Sequence, residues 1–269
     1  MSTPIIEQQI YLLERYSSRE YFGLMRDAFK AMVKAGYAAL DEFMQNLPRH
    51  YRKLPVFKQP DIVWGGRVLP NLARTDKHLD EAWRRLEAGD FSALGVASDL
   101  RTDMIGSGEY ASDWMPESFR TEYERNRQFV SMLYVDITGM LYGGSFGDLY
   151  YPTWKEEKEE MWESRWGIFP PPPTWPIYRL NRDAQVSTGE RTKRTGIYLP
   201  AVDKSCPCLL IACADEENVI GEAPEAYVGE NDDLQATVWT LVERVADEGG
   251  PVPGQEPWRE DAPATSTRA

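Results

Sequence analysis

Catalysis needs a nucleophile, a base and a group that stabilises charge, and this sequence is poor in the side chains that usually supply them. There are two histidines. His50 sits beside Tyr51, Arg52 and Lys53, and His78 falls in the first turn of a predicted helix, so both read as surface residues. Cys206, Cys208 and Cys213 offer three thiolates, but a structural zinc site takes four ligands, usually as two spaced pairs, and both histidines are distant. Only Pro207 separates Cys206 from Cys208, where a redox pair has two intervening residues. Buried or half-buried cysteines in a strand are the better reading. The glycines of Gly143-Gly144-Ser145-Phe146-Gly147 have neither the Lys-Ser/Thr pair of a P-loop nor dinucleotide-fingerprint spacing, which leaves a turn. Glu156, Glu157, Glu159 and Glu160 lie between Lys155, Lys158 and Arg165 at helical spacing, the pattern of a solvated, self-paired helix face. No catalytic residue, metal or cofactor is expected.

One stretch stands apart. From Ala214 to Asp233 the chain carries Asp215, Glu216, Glu217, Glu222, Glu225, Glu230, Asp232 and Asp233 without a single Lys or Arg. Unbalanced charge repels itself and is easier to understand where a cationic ligand or protein surface neutralises it, although a solvated loop would also fit. Calcium is not indicated, because the spacing is not that of an EF-hand loop.

The whole chain leans the same way. Its net charge of −13 over 269 residues argues against an electrostatic grip on nucleic acid or on an anionic membrane and favours a basic partner, although acidity kept for solubility alone would also fit. With 42% hydrophobic and 12% aromatic residues it can bury a sizeable core. The N-terminus, running from Met1-Ser2-Thr3-Pro4 into Ile5, Ile6, Glu7, Gln8 and Gln9, lacks the basic and long apolar regions of a secretory signal. No long apolar run predicts a transmembrane helix. Three clustered cysteines make no disulfide framework, which suits a reducing compartment, and a cytoplasmic location is expected.

The elements that would position these residues follow from apolar spacing and punctuation. Pro4 with Ile5, Ile6, Ile10, Leu12 and Leu13 predicts a helix ending near Ser17-Ser18, and Ser18 then caps a second one. Its stripe runs through Tyr21, Phe22, Met25, Phe29, Met32, Val33, Tyr37, Leu40, Phe43, Met44 and Leu47 to Pro48. Pro55, Pro60 and Pro70 argue against regular structure until a helix begins near Asp76, with Asp76 as its cap, Leu79, Trp83 and Leu86 on its inner face, and Gly89 as its stop. Asp113 to Pro116 start a further helix with Phe119, Tyr123, Phe129, Val130, Leu133, Ile137 and Leu141 inward. The β-prone runs are residues 196–199, 208–211 and 237–242. The organisation read from this is a helical region at 1–142, a connection rich in Gly, Pro and aromatics at 143–184, a β-rich region at 185–247 and a flexible tail at 248–269. The polyproline run Pro170-Pro171-Pro172-Pro173 and Trp154, Trp162, Trp166, Trp175 and Tyr178 fall at the connection, the aromatics reading mainly as packing. The fold class is α+β, with a helical N-terminal half of long antiparallel helices and a smaller β-containing C-terminal half.

Several C-terminal segments occur in a telling order: Arg194-Thr195-Gly196-Ile197-Tyr198-Leu199-Pro200, Val202-Asp203-Lys204-Ser205-Cys206, Ala223-Pro224-Glu225-Ala226-Tyr227-Val228-Gly229, then Thr237 to Asp247 and Gly249-Gly250. This series resembles the bacterial polymorphic-toxin immunity proteins of the Imm seventy-one and seventy-two type, encoded beside Rhs-type and other type VI secretion effectors. The opening, with Ile10-Tyr11-Leu12-Leu13, Tyr16-Ser17-Ser18 and Tyr21-Phe22, is similar to the helical start of those proteins. Where this chain has Cys208, that family often carries a polar residue. The resemblance implies a cytoplasmic antitoxin that binds and occludes a cognate toxin domain, one with a basic cleft of the nuclease or ADP-ribosyltransferase class, and does no chemistry itself. The recurring Gly196, Gly229 and Trp239 would then define the fold, leaving the acidic run to touch the toxin. Two alternatives stand beside it: an enzyme that reverses toxin damage, such as an ADP-ribosylhydrolase, and an adaptor of a secretion apparatus.

Overall fold

The computed structural model describes residues 7–141, 172–203, 205–215, 219–228 and 233–252. The protein is α+β: five α-helices precede residue 142, and the strands, antiparallel throughout the described residues, follow residue 176. Two compact units divide the chain, one of residues 16–138 and one joining residues 1–15 to 139–269.

In the helical unit, Ser18 caps the helix α2 (Arg19–Gln45) by accepting the Tyr21 amide at 3.2 Å. Its inner face begins as the apolar spacing predicts, with Tyr21, Phe22, Met25, Phe29, Met32 and Val33 buried. Beyond them the face turns small: Ala35, Gly36 and Ala39 are buried while Tyr37 is exposed. Close approach of α3 (Leu69–Glu87) is the reason, since a Cβ on Gly36 would stand 2.6 Å from Leu69 Cδ2. Helix α3 starts seven residues earlier than the prolines imply. A π-helical segment (Asp61–Val68) leads directly into it, with the Leu69 amide bonded to Trp64 O, and Pro70 falls at this junction. Asp76 is therefore an interior residue of α3 and not its cap, and His78 lies mid-helix; burial raises the Asp76 pKa against the pull of nearby Lys30. Gly89, with φ of 85°, follows the helix end as predicted. A short 3-10 turn (Phe91–Gly95) and α4 (Val96–Gly108) come next, and α5 (Glu117–Leu141) buries Tyr123, Val130, Leu133 and Ile137. Within this unit Tyr21 donates a short hydrogen bond to buried Asp136.

The other unit is built on a four-stranded sheet in the order β1-β6-β2-β3, from β1 (Ile177–Ser187), β2 (Gly196–Pro200), β3 (Cys208–Leu210) and β6 (Val238–Ala246). Strands β2, β3 and β6 fall on the three predicted runs; β1 lies partly in the segment read as a connection. An irregularity between Asn181 and Gln185 interrupts the β1–β6 ladder. A separate hairpin pairs β4 (Ala226–Val228) with β5 (Asp233–Gln235). Val186, Tyr198, Cys208, Leu210, Ala223, Ala226, Trp239 and Leu241 form the core. Residues 7–15 of helix α1 (Glu7–Tyr16) belong to this unit: the Tyr11 ring meets that of fully buried Trp175 at a tilt, 5.3 Å between centroids, and Glu14 accepts the Tyr178 hydroxyl at 2.8 Å. Among the described residues no helix is long and apolar enough to cross a membrane.

Candidate functional site

The acidic run is the most unbalanced stretch of charge in the sequence, and its placement follows from how its backbone is held. Two residues after β1, Gly189 takes a φ of 79° in a tight turn that brings Glu190 back, so that its carboxylate accepts the Ser187 amide at 2.9 Å. Backbone and side-chain hydrogen bonds from Ser187 hold the Glu190 pKa below its ordinary value. Residues 221–224 of the run lie along the far side of this turn. Gly189 N donates to Ala223 O at 2.8 Å, Ala223 N to Glu190 O at 2.9 Å and Thr192 N to Gly221 O at 2.9 Å. The Thr188 hydroxyl donates to Pro224 O at 3.1 Å, and the indole of Trp239, itself 1% exposed, donates to the same carbonyl at 2.8 Å.

One cation crosses the strap. Arg191 Nη2 donates to the carbonyl oxygens of Cys213 at 3.1 Å and Asp215 at 2.6 Å, while the Arg191 backbone bridges Glu222. Gly221 permits this, since a Cβ there would sit 2.6 Å from Arg191 Nη2 and 3.1 Å from Cys213 Cβ. No Lys or Arg lies inside the run, but the fold brings one to it from another segment, which a linear count cannot register.

With the backbone turned inward, the carboxylates turn outward. Gly221, Ala223 and Ala226 are buried and Glu222 and Glu225 between them are exposed, as are Asp215 and Asp233. Asp215 and Glu222 thus flank Arg191; Glu225 follows the Trp239-bound Pro224; Asp233 begins β5 opposite Val228, next to Leu234 at 53% exposure. Among the described residues Glu222, Glu225 and Asp233 have no ion-pair partner. Glu216, Glu217, Glu230 and Asp232 lie outside the described residues, as do Gly229, the Gly143–Gly147 turn, the Glu156–Glu160 stretch and Trp154, Trp162 and Trp166.

The other candidates occupy ordinary positions. Both histidines are exposed. Cys208 is buried in β3, and Cys206 and Cys213 are half-buried outside strands. The Cys206 thiol itself is enclosed, which pushes its pKa up and away from the thiolate that reactivity needs. Among the described residues no three His, Cys, Asp or Glu side chains come together as metal ligands would. Trp175 and Tyr178 are buried. Compared with protein-family models, curated proteins and solved structures, the chain matches none.

Proposed function

We propose that this protein is an immunity protein: an antidote that binds a cognate antibacterial effector toxin and occludes its active site, without turnover. The observation that carries this reading is the strap itself, on which Asp215, Glu222 and Glu225 are exposed while the backbone beneath is fixed by Arg191, Thr192, Ala223 and Trp239, with Asp233 exposed on β5 opposite Val228. Charges on a fixed backbone steer an oppositely charged partner and lose little ordering entropy when it arrives. A toxin domain with a basic cleft, of the nuclease or ADP-ribosyltransferase class, has the complementary surface. The motif order at the C-terminus supports the same reading through its resemblance to polymorphic-toxin immunity proteins.

The test is to co-express the chain with the toxin domain encoded beside it. The expected result is survival, a stoichiometric complex, and weakened binding when Glu222, Glu225 and Asp233 are reversed to Lys together. Survival without a complex would instead indicate an enzyme that repairs the toxin's damage, and the absence of both survival and a complex would end the assignment for that pair.

A further inference from the structure

The net charge of −13 conceals a cationic island. Between Glu42 and Asp61 the chain has no carboxylate side chain, yet Arg49, Arg52, Lys53 and Lys58 fall there. In the helical unit every residue from Arg52 to Lys58 is exposed, and so are Leu47, Arg49 and His50 before them. The apolar side chains have no cover: Leu54 is 42%, Val56 60% and Phe57 74% exposed. Open aromatic and aliphatic groups gathered in one short segment mark a contact surface more than they mark chance exposure.

The segment is rigid at its base. Tyr51 is buried, its ring in edge contact with Phe43 at 5.4 Å, and its hydroxyl donates to the Asp61 carboxylate. Arg52 pairs with the same carboxylate at 2.7 Å, and Gln59 Nε2 donates to Leu54 O at 2.6 Å. The amides of Lys53, Leu54, Lys58 and Gln59 each donate to the carbonyl three residues back. His50, at φ of 67° the one non-glycine residue with positive φ among the described residues, sets the entry to the turn. Phe57 is thus held open by a fixed frame, and seating it would cost little ordering entropy. Arg52 is committed to Asp61; Arg49, Lys53 and Lys58 have no ion-pair partner among the described residues.

We propose that this turn is a contact for an anionic lipid surface, with Leu54, Val56 and Phe57 entering the headgroup boundary and Arg49, Lys53 and Lys58 lying against acidic headgroups. A stable protein interface takes some 20 to 30 residues on each side, more than the twelve exposed residues that 46–50 and 52–58 offer. A few inserted side chains ringed by cations need no matching pocket, because headgroups conform to whatever enters them. This proposal stands on residues separate from the acidic strap and is independent of the antidote reading.

The full chain is sedimented with vesicles of phosphatidylcholine alone and of phosphatidylcholine mixed equally with phosphatidylserine. Binding is expected to the anionic vesicles, weakening as salt rises, and each of Phe57→Ser and Lys53→Glu/Lys58→Glu should reduce the partition coefficient by about tenfold or more. All three side chains are exposed, so thermal unfolding should be unchanged in these variants and loss of fold is separable from loss of contact. Failure of the wild type to bind anionic vesicles would overturn the proposal, as would binding that both variants leave intact. If vesicles are not bound but the variants lose affinity for the purified toxin domain, the turn is a protein anchor and the lipid proposal falls.

Discussion

Gly221→Ala should loosen the acidic strap through a single contact. The new Cβ would meet Arg191 Nη2 at 2.6 Å and Cζ at 2.8 Å. An ordinary contact of about 3.5 Å requires the guanidinium to retreat by about 1 Å, which takes it off the carbonyls of Cys213 and Asp215. Hydrogen bonds to a charged group contribute about 1.5–3 kcal/mol when buried and less when one partner is open to water. One of these two is partly buried and the other exposed, so together they are worth about 2 kcal/mol, with alanine's smaller unfolded-state entropy offsetting about 0.5 kcal/mol. The expected net loss of about 1.5 kcal/mol would lower the melting temperature by roughly 3–6 °C. Calorimetry on a double-mutant cycle with Arg191→Ala is the assay. Once the guanidinium is gone the clash at Arg191 goes with it, so Gly221→Ala should cost under about 0.5 kcal/mol in the Arg191→Ala background. If the two losses simply add, Arg191 does not hold the strap and the account of the site fails.

The helix-to-sheet contact of Glu14 carries a pH signature. Burial raises its pKa, outweighing the Tyr178 hydrogen bond and the attraction of Arg244 at 3.4 Å. The folded state therefore holds this proton more tightly than the unfolded chain, and stability should fall as pH rises from about 4.5 through the raised value, with a slope of at most about 1.4 kcal/mol per pH unit. Glu14→Gln should flatten that slope in urea titrations at successive pH values, and an unchanged slope would remove Glu14 as its source. Asp61 behaves oppositely: burial pushes its pKa up, but hydrogen bonds from Tyr51 and Arg52 more than compensate and leave it lowered. Its contribution is present above pH 3.8 and lost as pH falls through the lowered value. Tyr51→Phe should move the Asp61 pKa upward in a carboxyl NMR titration and weaken acid stability, whereas an unmoved Asp61 would show that the Tyr51 hydroxyl does not set it.

What could be read from the sequence was whatever local pattern decides. Ser18 capped α2 because its hydroxyl needs only the amide three residues on, and the Gly196–Leu199 and Cys208–Ile211 runs became strands because continuous apolar residues suit a buried sheet. Strand β1 was missed. Its Arg179, Asn181, Arg182 and Asp183 break any apolar run, and pairing with β6 rather than local composition makes it a strand. Helix α3 was begun too late because Pro70 was weighed as a breaker, although it falls where a π-helical segment passes into the α-helix. At the site, the exposed acid was legible, but the clamp was not: Arg191 stands 24 residues from Asp215, and the only local trace of their meeting is Gly221. A net charge is blind in a similar way, since a sum cannot show that the Arg49–Lys58 stretch has the opposite sign.

The central claim is that this chain neutralises a toxin by binding and not by turnover, and titration of the purified toxin domain's activity tests it most directly. Increasing amounts of this protein should reduce activity linearly to zero at one equivalent, with the break point unmoved by longer incubation. Full loss of activity at a small fraction of an equivalent, or no loss at several equivalents, would contradict it.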